Sequence, residues 1–128
     1  MGGVEEERKV IKTIIDYQNY LREVYGFDWN DTPGVIKKLK EEIDELEEAI
    51  KTKDNEKIKE EFGDVLITIV NLSRFLNLPI LETLKESFKK FKKRIKLMEE
   101  IAKREGINLR NLSIDELDRI WEEIKEEI

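Results

Sequence analysis

Apolar side chains recur every three or four residues through most of the chain, and no stretch sustains a two-residue alternation. This pattern predicts helices and no sheet. The first helix is expected from about Val4 to Tyr25, carrying Val10, Ile14, Ile15, Tyr17, Leu21 and Val24, with Gly26 as its stop. A loop from Phe27 leads to Thr32, which can cap a second helix with Pro33 at its first position. That helix is expected to reach about Lys53 and to bury Ile36, Leu39, Ile43, Leu46 and Ile50, which keep strict three-four spacing. Asp54 or Asn55 should open a third helix ending near Asn77. Its run from Val65 to Val70 is apolar except for Thr68, so it should lie centrally or face a second subunit. A fourth helix is expected from Pro79 to about Arg104, stopped by Gly106. A fifth begins at Ser113, which has capping-box spacing to Glu116 and precedes Leu117, Ile120, Trp121 and Ile124. Long helices on short loops predict an all-α antiparallel bundle. At 128 residues, a single domain covering the whole chain is the expectation.

Composition narrows the chemistry. There is no cysteine and no histidine. Disulfides, thiolate metal sites and a cysteine nucleophile are excluded, and so is the commonest general base. A ferritin-like di-iron site, which needs Glu-x-x-His ligands, is excluded with them. Charged residues make up 42% of the chain and the net charge is −6. The overall field disfavours nucleic acid as a partner. No apolar run has membrane-spanning length, and the N-terminus lacks the basic and apolar regions of a signal peptide, so a cytoplasmic location away from membranes is expected.

Catalysis then falls to carboxylates or a metal they hold. Two acidic motifs stand out, Glu41-Glu42-Ile43-Asp44-Glu45 and Glu61-Phe62-Gly63-Asp64. Acids three apart share a helix face and repel one another, which a divalent cation would turn into ligation. At about 100° per residue, Glu42 lies roughly 70° from the centre of the isoleucine-leucine stripe and Glu45 roughly 130°. Glu61 lies about 50–60° from the stripe centre of its own helix and Asp64 about 110–120°. Glu42 and Glu61 are thus expected to flank the core, with Glu45 and Asp64 one step outward, and the four can converge in an interhelical groove. All-oxygen ligands suit Mg²⁺ or Mn²⁺. The same spacings also describe a solvated acidic surface. Gly63 has two readings as well: a close helix contact, or room beside Asp64 for a bound ligand.

At these residues the chain resembles the MazG-like nucleotide pyrophosphohydrolases, whose hallmark is Glu-Glu-x-x-Glu on one helix and Glu-x-x-Asp on the next. Here these are Glu41-Glu42-x-x-Glu45 and Glu61-x-x-Asp64. Lys89-Lys90-Phe91, followed by Arg94 and Glu99, is similar to the family's basic stretch, although Phe88 stands where the family usually opens with Asn. Ser113 to Lys125 is similar to the family's C-terminal segment. The helix before Gly26 carries no family motif.

The resemblance implies hydrolysis of a nucleoside triphosphate to the monophosphate and pyrophosphate, by a helical bundle that forms a homodimer or homotetramer. Related helical hydrolases of the dUTPase or phosphoribosyl-ATP pyrophosphohydrolase kind, and a non-catalytic interaction module, are the alternatives. Glu42, Glu45, Glu61 and Asp64 are expected to hold Mg²⁺, or Mn²⁺ in its place. Glu41, which points away from the groove, is expected to orient the attacking water beside Glu42. Lys90 and Arg94, four apart on one helix face, are expected to hold pyrophosphate. Trp29 either stacks on the base or packs in the core. Asn71, two turns beyond Asp64, is expected to touch the nucleotide.

Overall fold

The computed structural model describes the backbone of residues 2–127 and the side chains of residues 5–127. Five α-helices account for most of it: α1 (Gly2–Tyr25), α2 (Thr32–Thr52), α3 (Asn55–Leu76), α4 (Ile80–Glu105) and α5 (Ile114–Glu127). A 3-10 turn at Leu109–Asn111, absent from the sequence expectations, precedes α5. Among the described residues there is no strand. The chain divides into two compact units, one ending at Leu81 and one starting at Glu82.

The helix ends follow local chemistry. Asp31, and not Thr32, caps α2: its backbone is extended and its Oδ1 accepts the Gly34 N–H at 2.9 Å. Thr32 is already helical, and Pro33 sits in the first turn, where no intrahelical donor is needed. Lys53 ends α2 in the left-handed region at φ 61°, and its N–H returns to the Ile50 carbonyl at 3.2 Å. Asp54 then caps α3, accepting the N–H groups of Glu56 and Lys57 at 3.1 and 3.4 Å. A connection this short forces α2 and α3 into an antiparallel hairpin.

Within the hairpin, α2 is rotated from its expected orientation. Its buried positions are Val35, Glu42 and Ala49, spaced by seven, with Leu39 and Leu46 half-buried between them. Ile36, Ile43 and Ile50 are 36%, 48% and 54% exposed. At about 100° per residue, the three isoleucines lie roughly 60–100° to one side of the face that meets α3. A hydrophobicity pattern gives little weight to Ala49 or to Glu42, yet both lie on the buried line with Val35. On α3 a matching edge of Phe62, Leu66, Ile69 and Leu76 is also exposed. Because the helices are antiparallel, both edges emerge on the same side of the hairpin. The acidic residues Glu45 and Asp64 emerge on the other.

A charged knot fastens α1 to α3 in this unit. Asp28, its side chain 2% exposed, accepts from Arg74 Nη2 at 2.8 Å and from Arg22 Nη1 at 3.2 Å. Arg74 also donates to Asn19 on α1 and to Asn71 on its own helix, at 3.0 and 2.8 Å. Burial pushes the Asp28 carboxyl up, but the hydrogen bonds from Arg74, from the Trp29 N–H and from Arg22 outweigh it and hold it below its usual value.

In the second unit, α4 and α5 meet through Phe91 and Trp121, whose ring centroids are 5.1 Å apart. The expected capping box forms: the Ser113 N–H donates to Glu116 Oε1 at 3.2 Å, and the Glu116 N–H donates to Ser113 Oγ at 3.1 Å.

Candidate functional site

The rotation of α2 decides where the acids go. Glu42 does not flank the contact between α2 and α3, as the sequence pattern suggested, but sits at its centre, 5% exposed. The isoleucine stripe is a misleading reference because it is an edge. Glu61 faces it from α3, half-buried, while Glu45 is exposed one turn along α2. Carboxylate oxygens of Glu42, Glu45 and Glu61 all lie within 4.8 Å of one another.

Three like charges this close need a counter-charge. Burial raises the Glu61 carboxyl above its usual value, and the charges of Glu45, Asp64 and Glu42 add to the effect. Among the described residues, Glu42 Oε2 and Glu61 Oε2 are buried and have no hydrogen-bond partner. A buried polar atom left without a partner is unfavourable, and more so when it carries charge. The other oxygen of Glu42 is held by Lys38 Nζ at 2.9 Å. That hydrogen bond and the charge of Glu42 raise the Lys38 ammonium above its usual value, so it is protonated at neutral pH. Converging, under-satisfied carboxylates on two helices could hold a metal ion, and an all-oxygen donor set fits a hard divalent cation such as Mg²⁺ or Mn²⁺.

The other expected site residues are placed as follows. Asp64 is exposed one turn from Glu61, outside the three-oxygen group, yet close enough for its charge to act on Glu61. Glu41 is exposed and also outside the group. Trp29 is half-buried beside the start of α2, where a Cβ on Gly34 would lie 3.8 Å from its ring. Asn71 is 2% exposed, with its amide engaged by the Ile67 carbonyl and Arg74. In the second unit Lys90 is exposed, while Arg94 is half-buried with its guanidinium 5.9 Å from the Trp121 ring centroid. A Cβ on Gly63 would meet nothing within 4 Å, so a close helix contact does not explain that glycine. Sequence reasoning overlooked Lys38. Its spacing of four from Glu42 was the available signal.

No single helix among the described residues is long and apolar enough to cross a membrane.

Fold and site together define an all-helical protein whose paired helices gather carboxylates into a candidate metal centre. Residues 32–98, which span α2, α3 and most of α4, match the family model of the MazG nucleotide pyrophosphohydrolase domain. The chain belongs to that family. It is 48% identical over 100 residues to the nucleoside triphosphate pyrophosphohydrolase/pyrophosphatase MazG of Thermotoga maritima, covering 78% of this chain and 38% of that protein. It is 32% identical over 102 residues to the nucleoside triphosphate pyrophosphohydrolase of Escherichia coli, covering 78% of this chain and 39% of the relative. A third relative, the uncharacterized protein YabN of Bacillus subtilis, is 41% identical over 69 residues, or 54% of this chain and 14% of its own length. The chain thus spans well under half the length of these relatives.

Proposed function

We propose that this chain, acting as one catalytic module, hydrolyses nucleoside triphosphates to the monophosphate and pyrophosphate with Mg²⁺, removing unwanted nucleotides from the cellular pool. The observation that carries the reading is the set of buried, unpartnered carboxylate oxygens on Glu42 and Glu61, gathered with Glu45 inside the segment that matches the family. The names of the relatives from Thermotoga maritima and Escherichia coli support the same reaction class.

Glu42, Glu45 and Glu61 would hold the ion, with Asp64 as a fourth ligand or as partner to its water shell. Bound there, Mg²⁺ would supply charge neutralisation for the triphosphate and would lower the pKa of a water near it. In the reaction, a water oxygen bonds to the α-phosphorus and the bond from that phosphorus to the bridging oxygen of the β-phosphate breaks. The water proton passes to a carboxylate, because the chain has no histidine to take it. Glu41, exposed and outside the three-oxygen group, is assigned to orient that water. Lys90 and Arg94 are assigned to phosphate binding on charge and family resemblance, not on the geometry of the acidic cluster. Trp29, half-buried and next to the first metal helix, is assigned to the base.

A second copy of the chain would cover the exposed apolar edges of α2 and α3, giving a homo-oligomer.

A panel of ribo- and deoxynucleotides, assayed with Mg²⁺ for monophosphate and pyrophosphate, tests the reaction. Release of free phosphate with a diphosphate product would overturn it. Selectivity for dUTP or for phosphoribosyl-ATP would move the chain to one of the related hydrolase activities.

A further inference from the structure

Lys38 sits one turn before Glu42 on α2. At about 100° per residue it falls between Glu42 and Glu45 around the helix, on the acidic side of the hairpin. Its Nζ lies 2.9 Å from Glu42 Oε1, and the side chains of Lys38 and Glu42 are 40% and 7% exposed. We propose that Lys38 is the internal counter-ion of the acidic cluster, held against Glu42 in the metal-free protein and displaced when a divalent cation binds. The inference rests on the metal reading above and adds a competitor to it.

Three observations carry it. First, the ammonium sits on Oε1 of a carboxylate that belongs to the acidic group, so a cation approaching that carboxylate meets a like charge at short range. Second, Glu42 is 5% exposed within the helix contact and its Oε2 is buried without a partner, so Lys38 is the cation found at this carboxylate in the metal-free protein. Third, lysine suits a displaceable role. Its charge is a point on a flexible stem, and the side chain here is exposed enough to swing into solvent without unpacking the helices. Lys37, the adjacent lysine, points away from the cluster at about 100° per residue and is exposed. It provides a control with the same change in net charge.

Calorimetric titration of the full chain with Mn²⁺ alone tests this, using wild type, Lys38→Met, Lys38→Gln, Lys38→Arg and Lys37→Met. Lys38→Met and Lys38→Gln should each bind the ion on the order of tenfold tighter, because the competing charge is gone. In the same two variants the metal-free protein should melt several degrees below wild type, and saturating metal should close that gap. Lys38→Arg should retain an affinity near wild type, and Lys37→Met should stay within about twofold of it. Equal or weaker binding by both neutral Lys38 variants, with the wild type still binding, would overturn the counter-ion role alone. An equal gain in Lys37→Met would also overturn it, by reducing the effect to net charge. Absence of binding by every variant and by wild type would overturn this role together with the metal reading.

Discussion

Two carboxylates in the first unit respond oppositely to their surroundings, and acid should separate them. Glu61 is pushed up by burial and by neighbouring acids. Its folded form therefore takes a proton more readily than the unfolded chain, so its contribution to the metal-free protein improves as pH falls toward and through its raised value. Glu61→Gln removes the charge at all pH. It should raise the melting temperature of the metal-free protein near neutrality, abolish the stabilisation by Mg²⁺, and lower turnover at least a hundredfold. Melting curves with and without metal, beside a pyrophosphate assay, check all three. Asp28 is the converse case, held low by Arg74 and Arg22 against the effect of burial. Its contribution is fully present above the unfolded carboxylate value of about 3.9 and is lost as pH falls through the lower folded value. Asp28→Asn leaves Arg74 without its anion and should cost about 3 kcal/mol in urea unfolding at neutral pH. The acid sensitivity attributable to this pair should vanish with it.

At the scale of the element, most helix boundaries were legible because their causes are local. Asp54, Gly26, Gly106 and the Ser113–Glu116 box act within one turn of the chain, and the structure uses each of them. The cap of α2 moved by one residue because Asp31 has a stronger acceptor than Thr32 and lies in an extended backbone suited to the role. Gly63 is the exception inside a helix. It breaks helix propensity, and the structure shows open space where its side chain would be. Gly63→Ala should stabilise α3 by about 1 kcal/mol, read as a rise in the urea midpoint at unchanged slope. Destabilisation instead would point to a close contact that the present arrangement does not contain.

For the whole molecule, the α2–α3 hairpin has two unlike sides. One carries acids around the candidate metal centre. The other carries Ile36, Ile43 and Ile50 beside Phe62, Leu66, Ile69 and Leu76, all at least a third exposed. Contiguous exposed apolar residues mark surfaces where soluble proteins associate. Light scattering should give the wild-type chain a mass that is a multiple of 15.3 kDa. Ile43→Lys and Phe62→Lys should each lower it toward a single chain while the helical signal persists. A monomeric wild type would remove the second copy from the proposal.

The sequence alone determined the helical class, nearly every helix end, the acidic motif and the family resemblance. All of these depend on residues within a turn or two of each other, or on motifs in linear order. Only the tertiary structure decided which way α2 faces. A helix turns about its axis to suit the shape of its partner, and here Ala49 is fully buried while the larger isoleucines stay at the edge. That rotation carried Glu42 to the centre of the helix contact, left an apolar edge open and set Lys38 against the acids. The Asp28–Arg74 pair, 46 residues apart, was likewise invisible in any local pattern, because folding alone brings its two charges together.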